Sequence, residues 1–342
     1  CRILYSDTYC YRIPHSYLFY ITITMKFVSI FATLLAVSVE VYAFAPSSIS
    51  RGAAGVSTTT TSPIQYPATN KYEARQSLSQ LFMGWGPDPI WESATITSTS
   101  AASASGNFVG LKVDVSADLV EAYKVPGQYV QVKQDINDEE GKVLFLAIAS
   151  APGAGAETEG SSIEFLVKKT DSNDWITNVD DGTAIAVSQV LGGGFPIEEE
   201  MSGFKHDFPL QNCLLFANGS GIAPIRAAIE SGQLNIGKPG EGGRTARLYF
   251  GCTTPADMPY LTKFREWETN GIEVVPVISR PEECEGEWTG RTGYVQNLVE
   301  EDGVAIPRNT GALLCGVKGM AESIKDLLTT AGVFESRVMT NF

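Results

Sequence analysis

The spacing of apolar positions changes near residue 210, and the change divides the chain. Between residues 91 and 200 apolar residues come in short runs separated by turn residues: NFVGLKVDV, GQYVQVKQ, KVLFLAIAS, SIEFLVKK and TAIAVSQV. None has helix length, and several short strands at close spacing predict an antiparallel barrel or sandwich. Residues 210–342 instead pair an apolar run with an amphipathic one: CLLFA with IAPIRAAIE, ARLYFG with YLTKFREWE, IEVVPVI with GYVQNLVEE, and ALLCG with MAESIKDLL. Strand followed by helix, repeated, predicts a parallel doubly wound sheet. Ligands of such sheets sit outside the carboxyl ends of the strands, where Gly219, Gly251, Ser279 and Gly316 fall.

Upstream the pattern is that of a leader. Residues 1–24 precede the first methionine, Met25, and read as upstream translated sequence. Residues 25–43 carry one lysine, an apolar run over 27–39, and small residues Val41 and Ala43, the pattern of a cleaved signal peptide. Glu40 interrupts this run as a membrane span, so no stable span is expected in the mature chain; a true anchor is the alternative. Residues 44–81 are rich in Ser, Thr and Ala, with Arg51, Lys71 and Arg75 against Glu73, which reads as a transit peptide or linker. The junction AFAP at 43–46 resembles the bipartite leaders of algae with secondary plastids. That resemblance implies the plastid stroma, with secretion as the alternative.

Charge sharpens the division. Residues 1–91 carry 6 basic and 4 acidic side chains, so the net charge of −14 for the whole chain leaves −16 for residues 92–342. An acidic domain argues against a nucleic-acid partner. Cys213, Cys252, Cys284 and Cys315 form no CxxC pair, so neither a metal site nor a disulfide framework is expected. His206 is the only histidine after residue 91, which leaves little material for a Ser-His-Asp triad or a His-ligated zinc.

The stretch LLFANGSGIAPIR, residues 214–226, interrupts an apolar strand with Gly219, Ser220 and Gly221 and then places Pro224 in the helix that follows. Glycines here leave backbone N–H groups uncovered at a helix N-terminus, a setting suited to a pyrophosphate. A tight strand-to-helix turn with no ligand is the alternative.

The order of PGQYVQV, a strand ending AIAS, GSGIAP, Ser279-Arg280, RTGYVQ, CGVKGM and a terminal aromatic resembles the ferredoxin-NADP reductase-like superfamily, and most of all its plastid "fruit protein" branch. The resemblance covers about residues 91–342. It implies an FAD-binding barrel with an N-terminal arm over 82–209 and an NAD(P)-binding α/β domain over 210–342. It further implies that Gly219, Ser220 and Gly221 hold the nucleotide pyrophosphate, with Pro224 shaping the helix entry. Ser279, Arg280, Arg291 and Tyr294 would lie around the adenosine, and two arginines there favour NADP over NAD. The family's lysine position falls on Thr292, next to Arg291. Cys315, Gly316, Lys318 and Met320 would line the nicotinamide side, and Phe342 would cover the flavin ring.

One motif departs from the family. Where the reductases have Arg-x-Tyr-Ser, this chain has Leu144, Phe145, Leu146 and Ala147. Flavin contacts would then fall to backbone groups of Ala147, Ile148, Ala149 and Ser150, and to Lys168 and Ser172. The expected activity is hydride transfer from NAD(P)H to FAD and onward transfer to an unidentified acceptor. The acidic domain argues against ferredoxin, itself acidic, in that role. A nucleotide-binding or assembly protein that has lost turnover is the alternative. The segment LFMGWGPDPIW at 81–91 is read as an arm laid on the barrel or a docking peptide.

Overall fold

The computed structural model describes residues 88–156, 161–201, 205–237, 243–284, 286 and 288–341. The leader segments and Phe342 lie outside the described residues. The first sheet contains β1 (Trp91–Ala101), β2 (Phe108–Asp114), β3 (Tyr129–Lys133), β4 (Leu144–Ala147), β5 (Ser162–Lys168) and β6 (Ala184–Ser188), in the order β4-β3-β6-β1-β2-β5. All its pairings are antiparallel. Its two edges meet where Ile148 bridges Phe165 and the Ala149 N–H donates to the Glu164 carbonyl at 2.7 Å. The result is a nearly closed barrel rather than a sandwich, because one sheet curls onto itself and few edge groups are left open.

Five of these strands are visible as apolar runs; β1 is not. Its sequence, WESATITSTSA, turns only Ala94 and Ile96 fully into the core, while Ser and Thr fill the outer positions. β-Branched threonine suits a half-exposed strand. A search for apolar runs passes over it. Of the segment 81–91, the described residues 88–91 lie on the barrel. The Ile90 N–H donates to Gln189 Oε1 at 2.6 Å, Gln189 Nε2 donates to the Asp88 carbonyl at 3.1 Å, and Lys133 Nζ sits 4.6 Å over the Trp91 ring. Short helices α1 (Ala117–Ala122), α2 (Asp174–Thr177) and α3 (Ile197–Met201) fill the connections.

The second sheet is wholly parallel: β7 (Asn212–Asn218), β8 (Thr245–Cys252), β9 (Ile272–Ile278), β10 (Arg291–Thr292), β11 (Thr310–Cys315) and β12 (Val338–Thr340), in the order β10-β9-β8-β7-β11-β12. Helices α4 (Ile222–Glu230), α5 (Leu261–Thr269), α6 (Val295–Asp302) and α7 (Lys318–Ala331) connect them. β7 is continuously apolar because both of its faces are covered. Cys213, Leu215 and Ala217 share a cluster with Ile222 and Ile225 of α4, while Leu214 and Phe216 share one with Leu298 of α6 and Ile324 of α7. β10 and β12, of two and three residues, are too short to show in the sequence pattern. Pro276 has no N–H to donate, and β10 pairs only with the two residues that follow it on β9.

Period-two alternation also joins the two halves. On β5, Phe165 and Val167 enter the barrel core, whereas Leu166 between them belongs to the cluster that holds Ile222 and Ala223. Phe108 of β2 and Ala149 join that same cluster. A latch reinforces the contact: the β1–β2 turn donates Ser105 N–H to the Ala256 carbonyl and Asn107 Nδ2 to Asp257, both at 2.8 Å. Replacing Leu166 by Ala should therefore cost about 2–5 kcal/mol and fall on the contact between the halves. Calorimetry should show one unfolding transition in the parent and two in Leu166→Ala; a single transition at unchanged temperature would count against a shared core.

Candidate functional site

Strand order reverses between β7 and β11, so their carboxyl ends flank the crevice where doubly wound sheets take ligands. β7 ends at Asn218, and Gly219–Gly221 forms one 3₁₀ turn into α4. The glycines serve different ends. Gly219 takes the left-handed conformation (φ +53°) with nothing nearer to a Cβ than the Phe108 ring at 3.6 Å. A Cβ on Gly221 would stand 2.3 Å from the Cys315 carbonyl oxygen, so only glycine lets the turn cross the end of β11. Gly316 is crowded from the other side, where a Cβ would meet Asn218 Cβ at 2.9 Å and Met320 Cε at 3.0 Å. Ser220 is exposed, and Pro224 is buried in the first turn of α4. Gly221 thus meets a packing demand that needs no ligand, while Gly219 and Ser220 stay open.

Two thiols border this turn. Burial pushes the Cys252 thiol up to about 12, a hydrogen bond from the Gly219 N–H opposing it. Burial likewise pushes Cys315 up to about 11 against the weak donation of Asn341 Nδ2, 3.9 Å from its sulfur. Both stay neutral at physiological pH, so Cys315 is a packing thiol rather than a nucleophile. Asn341 also lies against Gly127, 2.9 Å from where a Cβ would be, which brings the end of β12 between β11 and the turn before β3. Met320 is 4% exposed and packs with Ile324, whereas Lys318 is exposed and pairs with Glu322 at 3.6 Å.

Across the crevice, residues 147–150 are tied into the barrel. The Ile148 N–H donates to the Gln128 carbonyl at 3.1 Å, the Ala149 N–H to Glu164, and Ser150 Oγ accepts from the Glu164 N–H at 3.1 Å. The Ser150 carbonyl accepts from the Tyr123 hydroxyl at 2.8 Å. Leu144 and Leu146 pack against the barrel core, and Phe145 is 59% exposed, tilted against Tyr129 with ring centroids 5.9 Å apart. Lys168, exposed at the end of β5, acts on both Cys252 and Asp257 and so faces the parallel sheet. Burial raises the Asp257 carboxyl, but hydrogen bonds from Ser105, Asn107 and Thr254 outweigh it and hold the group below the usual carboxylate range. Ser172 is exposed, 3.0 Å from the Thr170 hydroxyl, in a turn fixed by Asn173, whose side chain bonds the Thr170 N–H and the Lys168 carbonyl.

At the far edge, Ser279 and Arg280 follow β9, their N–H groups donating to the Cys252 and Thr253 carbonyls at 3.0 Å. The Arg280 side chain is exposed and pairs with Glu283 at 3.0 Å. Arg291 does not join it. Its guanidinium is held by Glu301 at 2.8 Å and Asp302 at 3.2 Å, and Asp302 also accepts from the Tyr249 hydroxyl at 2.8 Å. Those carboxylates end α6, whereas the 60%-exposed Tyr294 precedes its first residue, about 12 Å away at 1.5 Å per residue.

Sequence reasoning passed over Arg226. It is buried in α4, and its guanidinium meets Glu164 of the barrel at 2.6 Å and Glu230 at 3.0 Å. The signal was available: one arginine inside IAPIRAAIE, with a glutamate four residues on. Among the described residues no group of three or more His, Cys, Asp or Glu side chains is arranged to hold a metal, and no helix is long and apolar enough to cross a membrane.

A barrel and a parallel sheet that share a core, with a crevice at the switch point between them, define a two-domain barrel-plus-doubly-wound architecture. Residues 215–326 match the family described as an oxidoreductase NAD-binding domain. Fruit protein pKIWI502 of Actinidia deliciosa is 31% identical over 257 residues, spanning 73% of this chain and 76% of that protein. The reductase component of propane 2-monooxygenase from Mycolicibacterium smegmatis is 26% identical over 202 residues, 58% of this chain and 53% of that one. A ferredoxin NADP+ reductase from Neisseria gonorrhoeae, solved with bound FAD and NADP, shares the fold with a TM-score of 0.57 at 15% identity, covering 73% of this chain and 97% of that one. The chain belongs to one family with the fruit protein and carries an oxidoreductase NAD-binding domain, and its fold is that of the ferredoxin-NADP reductase-like structures.

Gly221→Ala should destabilise the protein by at least about 3 kcal/mol, because the clashing atom is a backbone carbonyl that cannot swing away. Gly106→Ala, at φ +72° with open space around it, should cost about 1–2 kcal/mol. Equal urea midpoints for the two variants would show that the crossing is not tight.

Proposed function

We propose that this chain is a flavin-dependent oxidoreductase that takes a hydride from NAD(P)H onto FAD and passes electrons to an acceptor of another kind. The carrying observation is the switch-point crevice, where the open Gly219 and Ser220 stand beside neutral Cys315 and face the barrel through Phe108. In this reading the N–H groups of Ser220 and Gly221, at the start of α4, hold the pyrophosphate, and Pro224 fixes the helix entry. Cys315, Gly316 and Met320 shape the nicotinamide side, with the Lys318 charge at its rim. Phe342, next along the chain from Asn341, would cover the flavin face.

On the barrel side the residues fit a flavin through a reduced set of contacts. Lys168 and Ser172 supply a cation and a hydroxyl, and Ala147 with the exposed Phe145 supplies an apolar surface. The N–H groups of Ile148 and Ala149 position the strand rather than a ligand, because the barrel already uses them. A bound flavin supplies the redox chemistry, and the chain supplies orientation and exclusion of water, the latter through Phe108 and Leu166. The spent N–H groups and the apolar Leu144 and Leu146 also favour a second reading, a nucleotide-binding protein without turnover.

NADPH is the proposed donor and NADH the alternative, with Arg280 as the 2′-phosphate contact, since Arg291 is committed to Asp302 and Glu301. The surface charge speaks for an acceptor less acidic than ferredoxin, and the leader pattern over 25–81 for a plastid protein.

The purified protein should be yellow, or take up added FAD, and NADPH should bleach it without oxygen. A colourless protein that takes up no FAD would leave the binding-protein reading. Arg280→Ala should weaken NADPH binding by about tenfold or more while NADH changes little, since a charged hydrogen bond is worth about 1.5–3 kcal/mol. Arg291→Ala should alter both nucleotides alike; an equal loss of both in Arg280→Ala would remove the NADP assignment.

A further inference from the structure

We infer that Arg226 is a positioning residue that sets the spacing between the two half-sites, an inference that rests on the proposed hydride transfer. Arg226 lies five residues after Gly221 on α4, so it moves with the turn that would hold the nucleotide. Its partner Glu164 lies on β5, and the main chain of that residue grips the flavin-side segment: the Glu164 carbonyl accepts from Ala149, and its N–H donates to Ser150 Oγ. One ion pair therefore ties residues 149–150 to the start of α4.

The surroundings fix the guanidinium in direction as well as charge. Glu230 takes its Nε, Lys263 pairs with Glu230 at 2.8 Å, and the Tyr260 ring lies under the guanidinium at 4.8 Å. Tyr260 holds a left-handed backbone (φ +62°) to present that ring. Arg226 stands between Glu164 and Glu230, and Lys263 between Glu230 and Glu266, so each cation meets two carboxylates.

A half-buried ion pair contributes little net stability, and an apolar plug would hold the halves together as well. A planar guanidinium gripped on two edges adds a fixed distance and angle, which apolar packing does not. Hydride transfer needs that precision, since misplacement by about 1 Å can cost about a hundredfold in rate. Glu164 also borders a cavity of about 620 Å³ lined by Ser98, Lys112, Arg226 and Tyr260, so water can reach its carboxylate and Glu164→Gln can fold.

The test compares Glu164→Gln and Arg226→Lys with the parent, first by amide hydrogen exchange without nucleotide, then by anaerobic single-turnover reduction of the FAD-loaded protein with NADPH. Glu164→Gln should exchange faster at 147–150 and at 222–226 together. It should bind NADPH within about twofold of the parent and be reduced about tenfold or more slowly, and Arg226→Lys should recover part of that rate. Reduction at the parent rate would overturn the inference, as would a slowing that merely follows loss of FAD or of melting temperature. If neither NADPH nor NADH reduces the parent, the proposed function fails instead, and exchange decides the clamp: faster exchange confined to one segment, or to neither, overturns it.

Discussion

Everything in this molecule hangs on the outer face of the β2–β5 pair. Two strands of the barrel carry a second apolar row, Phe108 and Leu166, where a free-standing barrel would show polar residues to water. That row serves as the floor on which Gly219–Gly221 and α4 rest. Because a strand offers alternate residues to opposite faces, Val167 and Leu166 contribute to different cores while adjacent in sequence. The orientation of the two halves therefore follows from barrel register. A slip of one residue in β5 would bring Glu164 and Lys168 inward and lose the floor, the clamp and the Lys168 charge together.

This dependence explains which features could be read in the sequence. The change of period near residue 210, the barrel and the parallel sheet were legible because burial on one face or on both leaves a direct trace in hydropathy. β1 was not, because its outer face is serine and threonine and only Ala94 and Ile96 mark the inner one. The glycine-rich turn was legible as a turn, but the separate reasons for its two glycines were not. Gly221 answers to the Cys315 carbonyl, which lies 94 positions away in the chain and comes close only in the folded sheet. Arg226 was hidden for a related reason: its partner Glu164 is 62 residues distant and on the other half of the protein.

Arg291 shows how partners in space can differ from neighbours in sequence. By position in the sequence it stands near Tyr294 and shortly after Arg280, which suggests a cationic cluster. In space its guanidinium is drawn along α6 to Glu301 and Asp302. Asp302 is well placed to hold it: burial alone would raise that carboxyl, but bonds from Tyr249 and Arg291 outweigh burial and keep it ionised. A ligand phosphate at the end of β9 would have to compete with two carboxylates for Arg291 and, among the described residues, with Glu283 on an exposed turn for Arg280. Exposed pairs are worth little, so Arg280 can exchange partners at small cost.

The two thiols that border the crevice are neutral. Cys252 and Cys315 both stay protonated under the same cause, burial at strand ends. Neutral thiols suit the proposed hydride transfer, since a thiolate close to the path would favour one charge distribution over the other. Charge lies around them: Lys168 and Asp257 both act on Cys252, and Arg226, Lys263, Glu164, Glu230 and Glu266 pair behind the helix. Departure from Arg-x-Tyr-Ser takes a further cation and a phenol off β4, and Leu144 and Leu146 in their place reinforce the barrel core. In the proposed flavin-dependent reading, Lys168 and Ser172 are the polar contacts left on the barrel side, and the shape between the two halves would do the rest of the holding.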